Sequence, residues 1–454
     1  MTFVGIDVGT SGVRAVAVRA DGSVAAEAER PLPAARPAGG IHEQDPETWW
    51  TAVCQATRSL GIAEVAGIAV TSTSGSLVVT DAEGRPLRPA MLYDDSRGEP
   101  GSTGLNASFS LAKAMWVRQH EPRVFERARH LLHPADWLTG RLTGLWGVSD
   151  FSNCLKLGYD PEAKSWGGAV AASGLATELL PRVLCPGERV GPLTAGDTGL
   201  PAGASVVAGA TDGMAGLIAS GACEAGDANT TLGTTLVWKA LAPRRPAEGG
   251  GIYSHLHPSG LWAPGAASNT GPGSLRADDP PLDARQMEAL AAPHFPVRLV
   301  CYLLAGQGER FPFASRDAVT FVEGQPRQRG EWCAAQLQSL ALVERWGYER
   351  LAEAGVDIGE TVYSTGGAAR SPLLAQLRAD VLGKTVARAE QATAAFGAAL
   401  LAASGCHFGG DIRAAIRSMT RRAETVTPRP EMAAPYQEIY GLFREACRKR
   451  GYGA

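Results

Sequence analysis

The sequence predicts an α/β protein with two duplicated domains. The stretch VGIDVGTSGVRAVAV (residues 4–18) has the pattern strand, turn, strand, with glycine and hydroxyl residues at the turn. A second stretch of this kind, ANTTLGTTLVWKAL, begins at residue 228, about half a chain later. Near the end, TVYSTGGAARSPLLAQLRADVLGKTV predicts a strand, a glycine turn, a helix and another strand. We therefore expect two α/β domains, 1–214 and 215–454.

Length and composition indicate a globular protein and exclude several function classes. The chain has 454 residues, of which 45% are hydrophobic and 20% charged, and its net charge is −3. With so small a net charge, we expect neither a nucleic-acid partner nor a membrane partner. The eight cysteines stand singly, which argues against zinc and disulfides and favours a reducing, cytoplasmic location. We expect no signal peptide and no membrane span.

The remaining elements follow from caps, periodicity and turn signals. Residues 1–30 predict a β meander that continues through the Asp21-Gly22 turn. Asp45 is a predicted N-cap, with Pro46 at the first helical position. The stretch 241–330 is rich in proline and glycine and yields no assignment. Further predicted elements are strands within 65–87, helices near 108–120, 122–130 and 136–144, and a strand at 205–208 followed by a helix of small residues.

Both hairpin turns are candidate phosphate-binding loops. Glycine lets the backbone come close to a ligand, and successive amide groups in a turn form an anion-binding nest. Asp7, just before the first turn, is placed to hold the water shell of a cation. An ordinary hairpin remains the alternative for each turn taken alone. The candidate residues of the two turns are Gly9, Thr10, Ser11, Gly12, Gly233, Thr234 and Thr235.

Two further glycine-centred segments extend the candidate site. GATDGMAG places Asp212 after a strand, where a helix begins, so that Asp212 is either a functional carboxylate or an N-cap. STGGAARSP places Gly366 and Gly367 at a strand-to-helix turn, where bare backbone suits a flat ring or merely makes a tight connection. The agreement of all four glycine-centred segments favours the functional interpretation.

Other matches fail on spacing. LGKT at 382–385 resembles the end of a Walker A loop, but Arg378 stands where that loop needs glycine. His255 and His257 have no third ligand nearby, which argues against a metal site. The serines near residue 74 lack a His–Asp partner set, which argues against a serine hydrolase.

In this order, the motifs resemble those of the FGGY carbohydrate kinase family over nearly the whole chain. GIDVGTSG and TLGTT resemble its two phosphate motifs, GATDG the segment with the catalytic aspartate, and STGGAARSPLLAQLRADVLGKTV its adenosine motif. LAKAMWVRQHEP, GERFPF and EQATAAFGAALLA are similar to further family segments, whereas EWCAAQLQSLALVERWGY departs from the family's C-terminal signature. The resemblance implies two ribonuclease-H-like domains of the actin-like ATPase superfamily, with a cleft between them.

On the sugar side, the resemblance implies a ketopentose substrate. Typical xylulokinases have Gly-Gln-Met-His where this chain has Ser72-Thr73-Ser74-Gly75. The segments TSTSGSLVVTD, MLYDDSRG and SDFSNCLKLGYDPE are more similar to the small D-ribulose kinases of cyanobacteria and plastids. A solvated turn is the alternative for Asp94 and its neighbour. The sugar-contacting residues implied by the resemblance are Tyr93, Asp94 and Asp212, with Ser72, Thr73 and Ser74 lining the pocket.

The implied reaction is phosphoryl transfer from ATP to D-ribulose, giving D-ribulose 5-phosphate. Asp212 would be the general base, and Asp7 would hold Mg²⁺ directly or through water. Adenosine would rest against Gly366, Gly367 and Ala368. A D-xylulose kinase with an altered pocket is the first alternative, followed by an actin-like ATPase and an inactive sugar sensor. A small-molecule sugar is the expected partner, and a homodimer is common in the family.

Overall fold

Two seven-stranded sheets, counted over the described residues, carry the fold, one in each of two units of the chain. Unit 1 comprises Met1–Ala219 and Thr393–Thr420, and unit 2 comprises Ser220–Ala392 and Arg421–Ala454. The predicted duplication of an α/β domain is therefore confirmed. The computed structural model describes residues 1–34, 39–98, 104–276 and 281–453.

Strands occur where the hairpin and meander signals predict them, and several short strands lie in stretches that the sequence leaves unassigned. In chain order, the strands are β1 (Thr2–Val8), β2 (Gly12–Arg19), β3 (Val24–Pro31), β4 (Glu43–Gln44), β5 (Gly67–Ser72), β6 (Val78–Thr80), β7 (Ala90–Met91), β8 (His130–Leu132), β9 (Val148–Asp150), β10 (Tyr159–Asp160), β11 (Ser165–Trp166), β12 (Arg182–Leu184), β13 (Arg189–Pro192), β14 (Ser205–Val207), β15 (Ala210–Thr211), β16 (Ala228–Leu232), β17 (Leu236–Ala240), β18 (Tyr253–Leu256), β19 (Trp262–Ala267), β20 (Val300–Tyr302), β21 (Phe321–Glu323), β22 (Thr361–Thr365), β23 (Thr385–Ala389) and β24 (Arg422–Val426).

The first helix begins at the predicted cap. Asp45 accepts a hydrogen bond from the Glu47 amide at 3.0 Å, with Pro46 at the first helical position. None of the helices formed by the described residues is long and apolar enough to cross a membrane. In chain order, the helices are α1 (Pro46–Ser59), α2 (Ser110–His120), α3 (Pro122–Arg127), α4 (Pro134–Thr143), α5 (Phe151–Cys154), α6 (Gly168–Ser173), α7 (Asp212–Ala219), α8 (Ala284–Ala291), α9 (Arg329–Glu353), α10 (Pro372–Leu382), α11 (Ala394–Cys406), α12 (Ile412–Met419) and α13 (Ala433–Arg448).

The two sheets share one pattern of pairing. In unit 1, β1 pairs antiparallel with β2 and parallel with β5, and β5 pairs parallel with β14. In unit 2, β16 pairs antiparallel with β17 and parallel with β22, and β22 pairs parallel with β23. Each sheet thus joins a hairpin to a run of parallel strands, and the carboxyl ends of those parallel strands lie at one edge.

The stretch 241–330, unassigned from sequence, supplies much of the unit 2 core. Strands β18 and β19 extend the sheet beyond β17, and β20 pairs with β21 outside it. Buried aromatic side chains pack behind these strands, among them Tyr302, Phe311 and Trp346. Residues 277–280 of this stretch lie outside the described residues.

The division into units differs from a simple cut near residue 215. After unit 2 has begun, the chain returns to unit 1 as α11, which packs on β1 and β5. The approach is close because Gly5 faces the helix: a Cβ on Gly5 would lie 1.9 Å from the carbonyl oxygen of Ala395. The returning helix fills a long-range packing site, which the order of motifs along the chain does not reveal. The functional domains 1–214 and 215–454 stay a prediction.

We predict that Gly5→Ala destabilises unit 1 by about 3 kcal/mol or more, because the new methyl group overlaps the backbone of α11. Urea unfolding followed by circular dichroism measures the loss. Gly168→Ala is the matched control, since a Cβ at this helical position has nothing within 4 Å, and it should change stability by less than about 0.5 kcal/mol. Equal stability of the two variants would contradict the packing described here.

Candidate active site

Three predicted site residues of unit 1 lie at the same edge of its sheet. Asp7 stands near the end of β1, in parallel register with Thr71 of β5. Ser72 ends β5, in register with Thr211 of β15, and Asp212 follows Thr211 directly. Ligands of open α/β sheets bind outside the carboxyl ends of the parallel strands. The topology therefore brings Asp7, Ser72 and Asp212 together where a ligand is expected.

The Asp7 carboxylate is the electrostatically strained group of this edge. Burial, and then the negative charge of Asp212, raise the pKa of Asp7 to about 7, although Arg14 opposes the shift. Its Oδ1 atom is buried and has no hydrogen-bond partner among the described residues. A carboxylate oxygen in this condition fits a cation, because a cation would supply the missing partner and relieve the repulsion. No cluster of three or more metal-ligating side chains occurs in the described part of the chain.

Asp212 begins α7 but does not carry its N-terminal cap. The Met214 amide donates to Thr211 Oγ1 at 3.4 Å, so Thr211 occupies the capping position. The Asp212 carboxylate accepts from the adjacent Gly213 amide at 2.6 Å. The predicted base thus lies in the first turn of a helix, where the N-terminal amides stabilise its negative charge.

A buried hydrogen-bond network holds the backbone just before Asp212. The Thr211 amide donates to Ser152 Oγ at 3.0 Å, and Ser152 Oγ donates to Asp150 Oδ1 at 2.6 Å. Asp150 also caps α5 through the Ser152 and Asn153 amides. Burial, with the charge of Asp136 second, raises the pKa of Asp150 to about 6. Sequence reasoning missed these positioning residues, although the pattern Asp-x-Ser-Asn is a helix-cap signal that could have identified them.

The hydroxyl groups of the three predicted pocket residues, Ser72, Thr73 and Ser74, are in three different environments. Ser72 Oγ is buried and accepts from the Ala135 amide at 3.0 Å, so it anchors the start of α4. Thr73 Oγ1 shares a hydrogen bond of 3.2 Å with Ser76 Oγ. Ser74 Oγ is buried and has no partner among the described residues. Ser74 is therefore the member of the predicted set whose hydroxyl has a hydrogen-bonding capacity left over.

Tyr93 and Asp94 lie on an exposed turn whose base is rigid. The side chain of Tyr93 is 42% exposed, and burial, followed by the charges of Asp94 and Asp212, raises its pKa. Asp94 Oδ1 lies 2.6 Å from His42 Nδ1. Asp95 is fully buried, and the Arg97 guanidinium donates to it at 2.7 Å. A merely solvated turn does not describe this segment, since its second aspartate is an internal ion-pair partner.

In unit 2, the predicted phosphate turn and adenosine turn lie side by side. The Gly233 amide donates to the Thr235 carbonyl at 3.3 Å and closes the first turn. Gly366 has φ +90°, and a Cβ there would lie 2.5 Å from the Leu232 carbonyl oxygen. Only glycine permits this approach. Gly366 and Gly367 are exposed, Ala368 is half-buried, and a Cβ on Gly367 would meet nothing within 4 Å, so bare backbone faces open space there.

A buried ion pair ties together the strands that lead to these two turns. Arg378 donates through Nε and Nη2 to both oxygens of Glu344, at 2.6 and 2.7 Å. Arg378 Nη1 donates to Ser364 of β22 at 2.7 Å, and Thr230 of β16 donates to Glu344 Oε1 at 2.5 Å. A bidentate pair of this kind fixes geometry as well as charge. In the sequence alone, Arg378 is notable only because it stands where a Walker A loop needs glycine.

The Gly-Glu-Arg segment also contains a buried carboxylate, which holds a neighbouring loop by hydrogen bonds. Glu309 accepts from Ser268 Oγ and from the Asn269 amide, both at 2.7 Å. The loop that follows Asn269 reaches the phosphate turn, where the Gly273 amide donates to the Thr234 carbonyl at 3.0 Å. The stretch that resisted assignment from sequence therefore buttresses the predicted phosphate turn.

Comparison with known protein families gives two matches along the chain. The chain matches the N-terminal domain of the FGGY family of carbohydrate kinases over residues 2–107 and 99–219, and the C-terminal domain of that family over residues 228–406. Together the matches cover most of the chain.

Individual relatives and solved structures span nearly the whole length. The chain is 26% identical to a xylulose kinase of Bacillus subtilis, over 97% of this chain and 95% of the relative, and 29% identical to a xylulose kinase of Escherichia coli, over 84% and 85%. The crystal structure of a xylulose kinase from Rhodospirillum rubrum superposes with a TM-score of 0.86 at 26% identity, over 99% of both chains. The predicted ribonuclease-H-like, actin-like ATPase fold is confirmed, and the chain belongs to the FGGY family of carbohydrate kinases.

Proposed function

We propose that this protein transfers a phosphoryl group from ATP to a ketopentose, with D-xylulose as the acceptor that its relatives favour. The observation that carries the proposal is the pair Asp7 and Asp212, which interact electrostatically at the carboxyl ends of the parallel strands of unit 1. Tyr93 lies within the electrostatic reach of Asp212 on the same unit and supports an acceptor site beside it.

The choice between two ketopentoses rests on different observations. The curated relatives are named xylulose kinases, which supports D-xylulose over the D-ribulose expected from the sequence. D-ribulose remains the second candidate because Ser72-Thr73-Ser74-Gly75 stands in place of the Gly-Gln-Met-His of typical xylulokinases. Of that set, the unpartnered Ser74 hydroxyl is available to pair with a sugar hydroxyl. A site built for hydroxyls rejects analogues that leave its polar groups unpaired.

In the proposed reaction, Asp212 is the general base. Its carboxylate accepts the proton of the attacking sugar hydroxyl, whose oxygen forms a bond to the γ-phosphorus while the bond to the ADP leaving group breaks. The Ser152–Asp150 network holds the backbone of Thr211, which orients the Asp212 carboxylate. Phosphoryl transfer depends on alignment of this kind more than on covalent chemistry.

The nucleotide is assigned to the glycine turns, and the metal to Asp7. Bound Mg²⁺ would neutralise charge on the phosphate oxygens. The buried Oδ1 of Asp7 would hold it directly or through water. The amides of 9–12 and 233–235 would bind phosphate oxygens, and the bare backbone of 366–368 would support the adenosine ring. A homodimer, common in the family, remains a prediction.

We predict that Asp212→Asn lowers kcat by about 10²- to 10⁴-fold, the usual contribution of a general base, while the protein stays folded. ADP release in a coupled assay with a ketopentose measures kcat, and circular dichroism checks the fold. Asp197→Asn, at an exposed carboxylate of the same unit, is the control and should leave kcat within about twofold. Near-normal turnover of Asp212→Asn would remove Asp212 from the mechanism.

The same assay tests the acceptor. We expect kcat/KM to be highest for D-xylulose among D-xylulose, D-ribulose and L-ribulose, because the relatives named for their acceptor are xylulose kinases. A higher value for D-ribulose would instead support the interpretation based on Ser72–Gly75. ATP hydrolysis that no ketopentose stimulates would overturn the proposed function and favour an ATPase of another kind.

Asp7 generates a prediction about stability and pH. The pKa of Asp7 in the folded state is about 7, above the ordinary value of 3.8. Between these two pH values the unfolded chain loses the Asp7 proton more readily than the folded protein does, so the free energy of unfolding falls as pH rises from 4 to 7. Without metal, Asp7→Asn should therefore be more stable than the wild type by about 1 to 2 kcal/mol at pH 8, and nearly equal to it at pH 4.5.

Urea denaturation at the two pH values, with EDTA present to remove metal ions, measures this difference in stability. Glu27→Gln, at an exposed carboxylate of β3, is the control. Addition of Mg²⁺ and ADP should stabilise the wild type at pH 8 more than Asp7→Asn. A difference that does not change with pH would show that Asp7 does not have the raised pKa, and an equal gain from Mg²⁺ and ADP would show that Asp7 does not hold the metal.

A further inference from the structure

Two lysines reach the predicted sugar segments of unit 1 without a carboxylate partner. The Lys113 ammonium, fully buried on α2, donates to the Tyr93 carbonyl at 3.3 Å and to the Ala107 carbonyl. The Lys156 ammonium, on a half-buried side chain, donates to the Ser74 carbonyl at 3.4 Å. Within the part of the chain that the structure describes, neither makes an ion pair. Buried charges are ordinarily paired, so both lysines require an explanation.

Lys113 has a sufficient structural role, and Lys156 does not. Lys113 bridges two main-chain carbonyls and so fixes the turn that carries Tyr93. Burial, and then repulsion by Lys156, lower the pKa of Lys113 to about 8. Lys156 has a single long hydrogen bond, although an ammonium carries three donors. Burial lowers the pKa of Lys156 while the charge of Asp212 raises it, which places Lys156 in the field of the predicted base.

The backbone beside Lys156 is shaped to admit its side chain. Gly75 has φ +88°, and a Cβ there would lie 2.8 Å from Lys156 Cδ and 3.2 Å from Lys156 Nζ. The same Cβ would lie 2.3 Å from the Ser108 carbonyl oxygen, so the missing side chain permits both this main-chain approach and the close packing of Lys156. The Ser74 hydroxyl, which has no partner among the described residues, belongs to the same turn. Two groups with unused hydrogen-bonding capacity, the Lys156 ammonium and the Ser74 hydroxyl, thus meet at one turn of the acceptor segment.

We propose that Lys156 is a specificity-determining residue that donates a hydrogen bond to the carbonyl oxygen of an open-chain ketose. This inference rests on the proposed function and adds to it the group of the acceptor that the protein recognises, the ketose carbonyl. An ammonium can only donate, and a carbonyl oxygen can only accept, so the two match completely. In the corresponding pentitol a hydroxyl replaces the carbonyl, and its hydrogen would need an acceptor that the ammonium cannot supply. Lys156 therefore favours ketopentoses over pentitols.

The test compares matched acceptors in wild type and Lys156→Met. D-xylulose is paired with xylitol and D-ribulose with ribitol, and kcat/KM is measured for each, or the inhibition constant where a pentitol is not turned over. We expect the preference for ketose over pentitol to fall at least tenfold in Lys156→Met, while KM for ATP stays within about twofold. Lys164→Met, the same change at an exposed lysine, should preserve the preference.

The outcomes separate specificity from structure. A loss that is equal for ketose and pentitol, or an unchanged ratio, overturns the inference, because a merely structural lysine would affect both acceptors alike. If Lys156→Met does not fold, Lys156→Arg and Lys156→Gln replace it, with the preference expected to persist in the first and to fall in the second. A wild type that phosphorylates no ketopentose defeats the proposed function, whereas an active wild type with an unchanged ratio in the variants defeats this inference alone.

Discussion

The repulsion between Asp7 and Asp212 is the constraint around which unit 1 is organised. Parallel pairing of β5 with both β1 and β15 brings the two carboxylates to one edge, and burial removes the water that would otherwise stabilise the charge of Asp7. The fold maintains this unfavourable arrangement through contacts behind it: the Ser152 hydroxyl holds the Thr211 backbone, and α11 packs on Gly5 of β1. Strain of this kind, kept in place by well-satisfied neighbours, is typical of functional sites.

Unit 2 differs from unit 1 in where its charged side chains lie. Its exposed turns contain bare glycine backbone, and charge is placed deep in the core, where Arg378 and Glu344 satisfy each other. The pair contributes geometric specificity more than stability, because desolvation of two ions offsets much of their attraction. By reaching Thr230 and Ser364 it links the strands that end at the two turns. Exposed main-chain amides of this kind suit the phosphate and nucleoside that we propose for these turns.

Local signals in the sequence predicted the elements that depend on local chemistry. The Asp45 cap, the two hairpins and the glycine turn at Gly366 are encoded within a few residues, and the structure has each of them. Contacts between residues far apart in the sequence have no local signal of this kind. The return of α11 to unit 1, the contact of Lys156 with Ser74, and the Glu344–Arg378 pair join residues far apart in sequence. Ser72 stays a predicted pocket residue, but the motif did not reveal that its hydroxyl also accepts from the Ala135 amide at the start of α4.

The shared topology of the two sheets contains one pair of equivalent positions at which the side chains differ in charge. Asp7 stands two residues before Gly9 and pairs with Thr71 of β5; Thr231 stands two residues before Gly233 and pairs with Thr365 of β22. The two positions are equivalent, yet one carries a carboxylate and the other a hydroxyl. Thr231 Oγ1 and Thr365 Oγ1 satisfy each other at 2.8 Å, whereas Asp7 Oδ1 has no partner among the described residues. Duplication thus supplied two equal frameworks, and this single side-chain difference at the end of the first strand is the basis for the proposal that a cation binds in unit 1.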